Sequence, residues 1–200
     1  KKKDISFGTI KEMKKEITLV IPTSILSSKE LSEKDKLIFG LHYAYFKKGN
    51  ATFESNIEIG ERLSINKNTV GKSNTLFEEN QLLKKENSNY VVIKETLKML
   101  KKPNNEVEEI FIPFEIYSKD IKAGAKLLWG EYNRFRDTEK AYIVGREKTA
   151  EYIGSSIASV TNWTTELDEK GMLEEYEVNY GKKGSQRIVR TKNFNKEIEE

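Results

Sequence analysis

The chain has 200 residues, 36 % of them hydrophobic and 10 % aromatic, enough to fill one large core or two small ones of roughly 100 residues each. It contains no cysteine, which excludes disulfides and thiolate metal sites and makes a reducing cytoplasm the expected compartment. A net charge of only +3 exerts no strong overall pull on a polyanion, and no stretch approaches the ~20 apolar residues of a membrane span.

Residues 1–16, opening KKKDISFGTI, read as a basic N-terminal segment without the apolar run of a secretion signal. ITLVIP, ending at Pro22, predicts a short extended segment before a first helix. On that helix Leu31, Leu37, Ile38, Leu41 and Tyr45 recur at helical spacing, and Gly49-Asn50 stops it. ATFES is a short strand. Ile57, Ile59 and Leu63 mark a second helix, Ser64-Ile65-Asn66 a tight turn, and Val70 and Phe77 the inner face of a third helix. QLLKKE and NYVVIKE then read as two strands joined through Asn-Ser-Asn.

The pattern returns with a period of about 90 residues. KLIFG (Lys36–Gly40) matches KLLWG (Lys126–Gly130). Without gaps, Ala51 falls on Ala141, Glu61 on Glu151, Val70 on Val160, Thr75 on Thr165, Glu79 on Glu169 and Leu83 on Leu173. IPTSIL (Ile21–Leu26) is echoed by IPFEIY (Ile112–Tyr117), shifted by one residue. In the second copy Leu127, Leu128, Trp129 and Tyr132 mark the first helix, AYIVG the strand, and Ala150 and Ile153 the second helix. Gly154-Ser155-Ser156 is the turn, Val160 and Leu167 mark the third helix, and MLEEYEVNY and QRIVRT are the closing strands. Trp129, Trp163, Phe39 and Tyr43 read as core side chains rather than stacking platforms. Such a repeat implies a duplicated domain: a first unit over 17–96, a second over 110–194, and an acidic tail over 195–200. Between them LKMLKKPNNEVEE (97–109), with Pro103, reads as a linker. The expected fold class is mainly α with small β-hairpins, α+β.

GERLSINKNTVGKSNTLFEENQLL (Gly60–Leu83) and AEYIGSSIASVTNWTTELDEKGML (Ala150–Leu173) resemble the winged helix-turn-helix family. The small turn, the inward Val and the "Glu … Leu" exit into a strand come in the same order twice. The resemblance covers nearly the whole chain and implies two tandem winged helix-turn-helix domains. Asn74 and Thr164 depart from it, standing where the family has an apolar residue on the third helix. Either that helix packs against something polar or the register is off by a turn. The family's exit glycine is present as Gly171, while the first copy has Gln81. The phrase "IP … I/L" before the first helix is similar to plasmid and phage DNA-binding proteins of Gram-positive bacteria, including replication initiators and regulators of conjugative-transfer operons.

What the family implies is a duplex-DNA partner, with the third helix laid in the major groove and read from its N-terminal end. In the first copy this end carries Asn66, Lys67, Asn68, Thr69 and Lys72. Asn can pair bidentately with adenine, and Lys can reach guanine or a phosphate; ordinary capping and solvation would explain the same residues. The second copy offers Ser156, Ser159, Thr161, Asn162 and Thr165, with Ile157 and Ala158 placed for thymine methyls, and a serine-rich cap accounts for these equally well. Its wing, YGKKGSQR, brings Lys182, Lys183 and Arg187 to a glycine-flanked tip, with Arg190 behind it, as backbone or minor-groove cations. The shorter first wing supplies Lys84 and Lys85.

Catalysis has no footing in this sequence. His42 is the single histidine and lies beside apolar Leu41 and Tyr43; there is no GxSxG, no phosphate loop and no acid cluster at metal-ligand spacing. No cofactor and no small-molecule ligand is indicated. The expected function is a cytoplasmic, sequence-specific double-stranded-DNA-binding protein acting as an internal dimer, a regulator of transcription or conjugative transfer on a mobile element. Two alternatives stand beside it: a replication initiator that binds origin repeats and other plasmid transfer or replication proteins, and a winged-helix protein-docking module.

Overall fold

The computed structural model describes residues 17–96, 108–135, 141–181 and 184–193, and the fold is mixed α+β. The first half runs β1 (Leu19–Pro22), α1 (Thr23–Leu26), α2 (Glu33–Lys47), α3 (Asn56–Leu63), α4 (Lys67–Glu79), β2 (Leu83–Glu86) and β3 (Asn89–Val92). The second half follows the same order: β4 (Glu109–Ile112), α5 (Phe114–Tyr117), α6 (Ala123–Tyr132), a 3-10 turn (Asn133–Phe135), α7 (Arg146–Ile153), α8 (Ile157–Glu169), β5 (Leu173–Gly181) and β6 (Gly184–Thr191).

Local chemistry explains the boundaries. Ser32 and Asp35 form a capping box at the start of α2, and Ser55 and Glu58 repeat it at α3, each pair satisfying two otherwise orphaned backbone donors. Helices α3 and α7 both end in the left-handed region, at Ser64 (φ 57°) and Gly154 (φ 61°), which turns the chain sharply into α4 and α8. The expected strands ATFES and AYIVG reduce to one bridging residue each: Thr52 pairs with Tyr90 and Tyr142 with Val189, so each bridge docks against its own hairpin.

Strands β1 and β4 form one antiparallel sheet in which Leu19 faces Ile112, Val20 faces Phe111 and Ile21 faces Ile110. Since Ile21 and Ile112 are counterparts in the repeat, each strand meets its counterpart under a pseudo-twofold axis through the Val20–Phe111 pair. Leu19, Ile21, Ile110 and Ile112 are fully buried, each contributing on the order of 1.5–3 kcal/mol of apolar burial. The glycines Gly40 and Gly130 let α2 and α6 lie on this sheet: a Cβ at Gly40 would sit 2.5 Å from Ile21, and one at Gly130 2.8 Å from Ile110.

Lysines cross the axis reciprocally. Lys36 Nζ donates to the Ile153 carbonyl at 2.8 Å, and its counterpart Lys126 reaches the Leu63 carbonyl at 3.5 Å. At the periphery Lys47 pairs with Glu109 at 2.9 Å. The buried residues of both halves form one hydrophobic cluster. Glu108 and Glu109, expected in the linker, belong to this junction: Thr23 donates its backbone N–H to the Glu108 carbonyl, and Glu109 opens β4. Pro103 and the rest of 97–107 lie outside the described residues, as do the expected segments 1–16 and 195–200.

Candidate nucleic-acid interface

Helices α3 and α4 are held at a fixed angle by a turn with no room to relax. The Ile65 N–H donates to the Gly60 carbonyl at 2.8 Å, and a Cβ on Gly60 would lie 2.5 Å from the Ile65 oxygen. Val70 and Phe77 bury the inner face of α4. Between them Asn74 is also fully buried, and its Oδ1 accepts from Nε2 of His42 at 2.8 Å. Because Asn74 presents its carbonyl there, the imidazole proton is on Nε2, and Nδ1 accepts from the Thr52 hydroxyl at 2.8 Å. Asn74 in turn donates to Asn56 Oδ1 at 3.0 Å. The second half builds the same joint from other residues: the Thr164 hydroxyl donates to the Val160 carbonyl at 2.6 Å and accepts from Tyr132 at 2.7 Å. The third helices do pack against something polar, and the register needs no shift by a turn.

With the inner face fixed, the outer face follows. Asn66 caps α4 by accepting the Asn68 N–H at 2.8 Å. Lys67, Asn68, Lys72 and Thr75 are exposed and Thr69 is half-buried. Together they line an open concavity of about 840 Å³ that reaches Tyr90 on the hairpin. The cap occupies one oxygen of Asn66 and leaves the Asn68 amide and both ammonium groups facing solvent. The N-terminal end of α4 adds its own partial positive charge. On the hairpin, Lys84 pairs with Glu86 at 2.6 Å, and the Lys85 ammonium lies 5.8 Å from the centre of the Tyr90 ring.

The matching face of α8 is differently equipped. Ser156 caps the helix, accepting from the Ser159 N–H at 3.1 Å, and the two hydroxyls meet at 2.9 Å. Thr161 and Thr165 donate to carbonyls four residues back, leaving their oxygens only as acceptors toward solvent. Asn162 is exposed, as are Ile157 and Ala158. From Ile157 to Glu169 the helix carries no Lys or Arg, so an anion at its N-terminal end meets dipoles and hydroxyls rather than cations, and Asp168 and Glu169 leave its C-terminal end acidic.

The second hairpin corrects one expectation. Arg187 is 4 % exposed and does not face the surface. Its guanidinium points inward, donating to the Tyr132 hydroxyl at 2.7 Å, the Val144 carbonyl at 3.2 Å and Thr149 Oγ1 at 3.3 Å. The alternation of β6 explains why: Arg187, Val189 and Thr191 share one face and are buried, whereas Gln186 is exposed on the other. Arg190 lies on the outer side and donates to Glu175 at 2.7 Å across the hairpin. Lys182 and Lys183 lie outside the described residues; beside them Tyr180 is 86 % exposed.

Among the described residues no group of three or more His, Cys, Asp or Glu side chains could hold a metal ion, and no helix is long and apolar enough to cross a membrane. Searches against family models, curated sequences and solved structures returned no match for this chain.

Proposed function

We propose that the halves are winged helix-turn-helix units arising from internal duplication, and that the chain is a sequence-specific double-stranded-DNA-binding protein acting in the cytoplasm as a built-in dimer. One observation carries the reading: the solvent-facing N-terminal end of α4, with Lys67, Asn68 and Lys72 beside a hairpin bearing Lys85, on a helix whose opposite face is locked into the core. The pseudo-twofold pairing of β1 with β4 supports a specific operator geometry. Two heads related by a twofold axis meet duplex DNA in opposite orientations, so the site is an inverted rather than a direct repeat. Because α4 offers amides and ammonium groups while α8 offers hydroxyls and apolar side chains, the half-sites differ. The first is read through bases, and the second is held by the backbone and by the tip carrying Lys182 and Lys183.

A regulator of transcription or conjugative transfer is the preferred role, and a replication initiator is the alternative within DNA binding. The outer face of α8, which carries no cation, favours one further reading, in which the second unit docks a protein. Selection from a randomised duplex library, followed by footprinting on the DNA flanking the gene, tests all three. An imperfect inverted repeat of roughly 20 base pairs bound by one chain is expected. Binding should fall with salt at a log–log slope of about −5 if on the order of six phosphates are neutralised. Failure to retain any duplex at low salt removes the DNA reading, and protection confined to one half-site transfers the second unit to protein docking.

A further inference from the structure

The two lysine crossings are alike in design and unequal in completion. At the first, Gly154 sits so close to the opposite half that a Cβ on it would lie 2.5 and 2.6 Å from the carbonyl oxygens of Ser28 and Ser27. Lys36 there has its short bond to Ile153, with the carboxylates of Glu33 and Asp35 acting on its charge. At the second, Ser64 holds Gly154's place in the same left-handed conformation but carries a side chain. The counterpart segment around Lys119 stands off, and a cleft of about 570 Å³ is left between the halves.

Lys126 lies at the edge of this cleft. It is 2 % exposed, and among the described residues its ammonium has the one long bond of 3.5 Å to the Leu63 carbonyl. Ala123 and Ala125 stand where the other crossing has Glu33 and Asp35, and of the carboxylates only Asp120 acts on the Lys126 charge, from a distance beyond hydrogen bonding. The remaining walls are largely apolar: Leu63 and Ile65 from the first half, Ile121 and Trp163 from the second. Gly124 lets the Trp163 indole lie directly on backbone, since a Cβ there would fall 2.0 Å from the ring.

We propose that this cleft binds a small apolar monocarboxylate, an aromatic or alicyclic acid whose carboxylate pairs with Lys126. The volume falls within the ~300–1,000 Å³ typical of small-ligand sites. A buried ammonium with donors to spare is costly until an anion bonds to it directly, which Asp120 does not, and the charge-assisted bond that forms in a desolvated place is strong. Four lysines line the cleft, but only Lys126 is buried, while Lys34, Lys119 and Lys122 are exposed at the rim beside Glu33 and Asp120, so the interior calls for one negative charge. Both halves supply walls, so the occupant bridges them and fixes their spacing. Occupancy of the cleft does not depend on what the outer faces of α4 and α8 bind.

The test uses the full chain without DNA. Benzoate and its neutral counterpart benzamide are titrated by calorimetry and by tryptophan fluorescence, with Trp163 as the reporter. Benzoate should bind saturably and benzamide about tenfold more weakly or worse, a difference of about 1.4 kcal/mol. Lys126→Met should abolish the preference for the acid. Ala123→Leu, which narrows the cleft and leaves the ammonium in place, should weaken benzoate by a similar factor and carries the test alone if the lysine variant does not fold. No saturable binding of benzoate to the unmodified chain overturns the proposal. So do equal affinities for acid and amide, or a benzoate affinity unchanged in Ala123→Leu.

Discussion

Nε2 of His42 donates to Oδ1 of Asn74 at 2.8 Å, and this bond fixes the rotation of α4 about its own axis. With Asn74 turned inward, helical geometry turns Asn68, Lys72 and Thr75 outward. The polar pair therefore selects which side chains a ligand of α4 can meet.

That pair makes stability depend on pH. Burial holds the imidazole neutral, its pKa pushed down to about 4 from 6.5 against the Asn74 bond, which works the other way. The unfolded chain takes up its proton near 6.5. The folded state is thus fully favoured above that pH and loses about 3 kcal/mol as pH falls to 4. Denaturant midpoints at pH 7 and 4.5 should differ clearly more in the unmodified chain than in His42→Gln. Equal differences would show that another group titrates.

Arg187 is expected to act on stability and not on DNA. Arg187→Met leaves Tyr132, Thr149 and the Val144 carbonyl without their donor, at a cost of about 2–3 kcal/mol. Where the variant is still folded, the salt slope of DNA binding should match that of the unmodified chain. An unchanged melting temperature with a shallower salt slope would return the side chain to the surface.

Asn68→Ala should cost about 1–3 kcal/mol on the selected site and little on random duplex, as loss of a base contact does. Lys72→Ala should show the same asymmetry if its ammonium reaches guanine. Equal losses on both DNAs would make it a phosphate contact, and no loss from either variant would mean that α4 faces away from the duplex.

A protease site placed within Asn104–Glu106 separates two kinds of repeat. Independently folded units would drift apart after cleavage. Here β1 has its sheet partner β4 in the other half, and Lys47–Glu109 and Lys36–Ile153 cross the same boundary. The nicked chain should therefore elute as one species under native conditions, and either half made alone should lack a cooperative melting transition. Two separately folded fragments would refute the shared core.

Much of the architecture was readable in the sequence because its causes are local. Capping residues, left-handed turn positions and apolar spacing act over a few residues, and they place α2, α3, α4 and their counterparts. The exposure of Lys67, Asn68 and Lys72 follows from the same periodicity. The burial of Arg187 is legible too, since it shares the alternating face of Val189, although the glycine- and lysine-rich tip beside it suggests an exposed cation. Other features were decided only by packing across the chain. Asn74 finds His42 more than thirty residues away, and β1 finds β4 some ninety residues on. No periodicity encodes such partners, because they depend on which distant segments come to pack against one another in the folded chain. The same holds for the cleft at Lys126: a serine opposite a glycine at matching turns looks like a neutral difference in sequence. In three dimensions it separates a closed junction from an open one, because one Cβ is enough to hold two backbones apart.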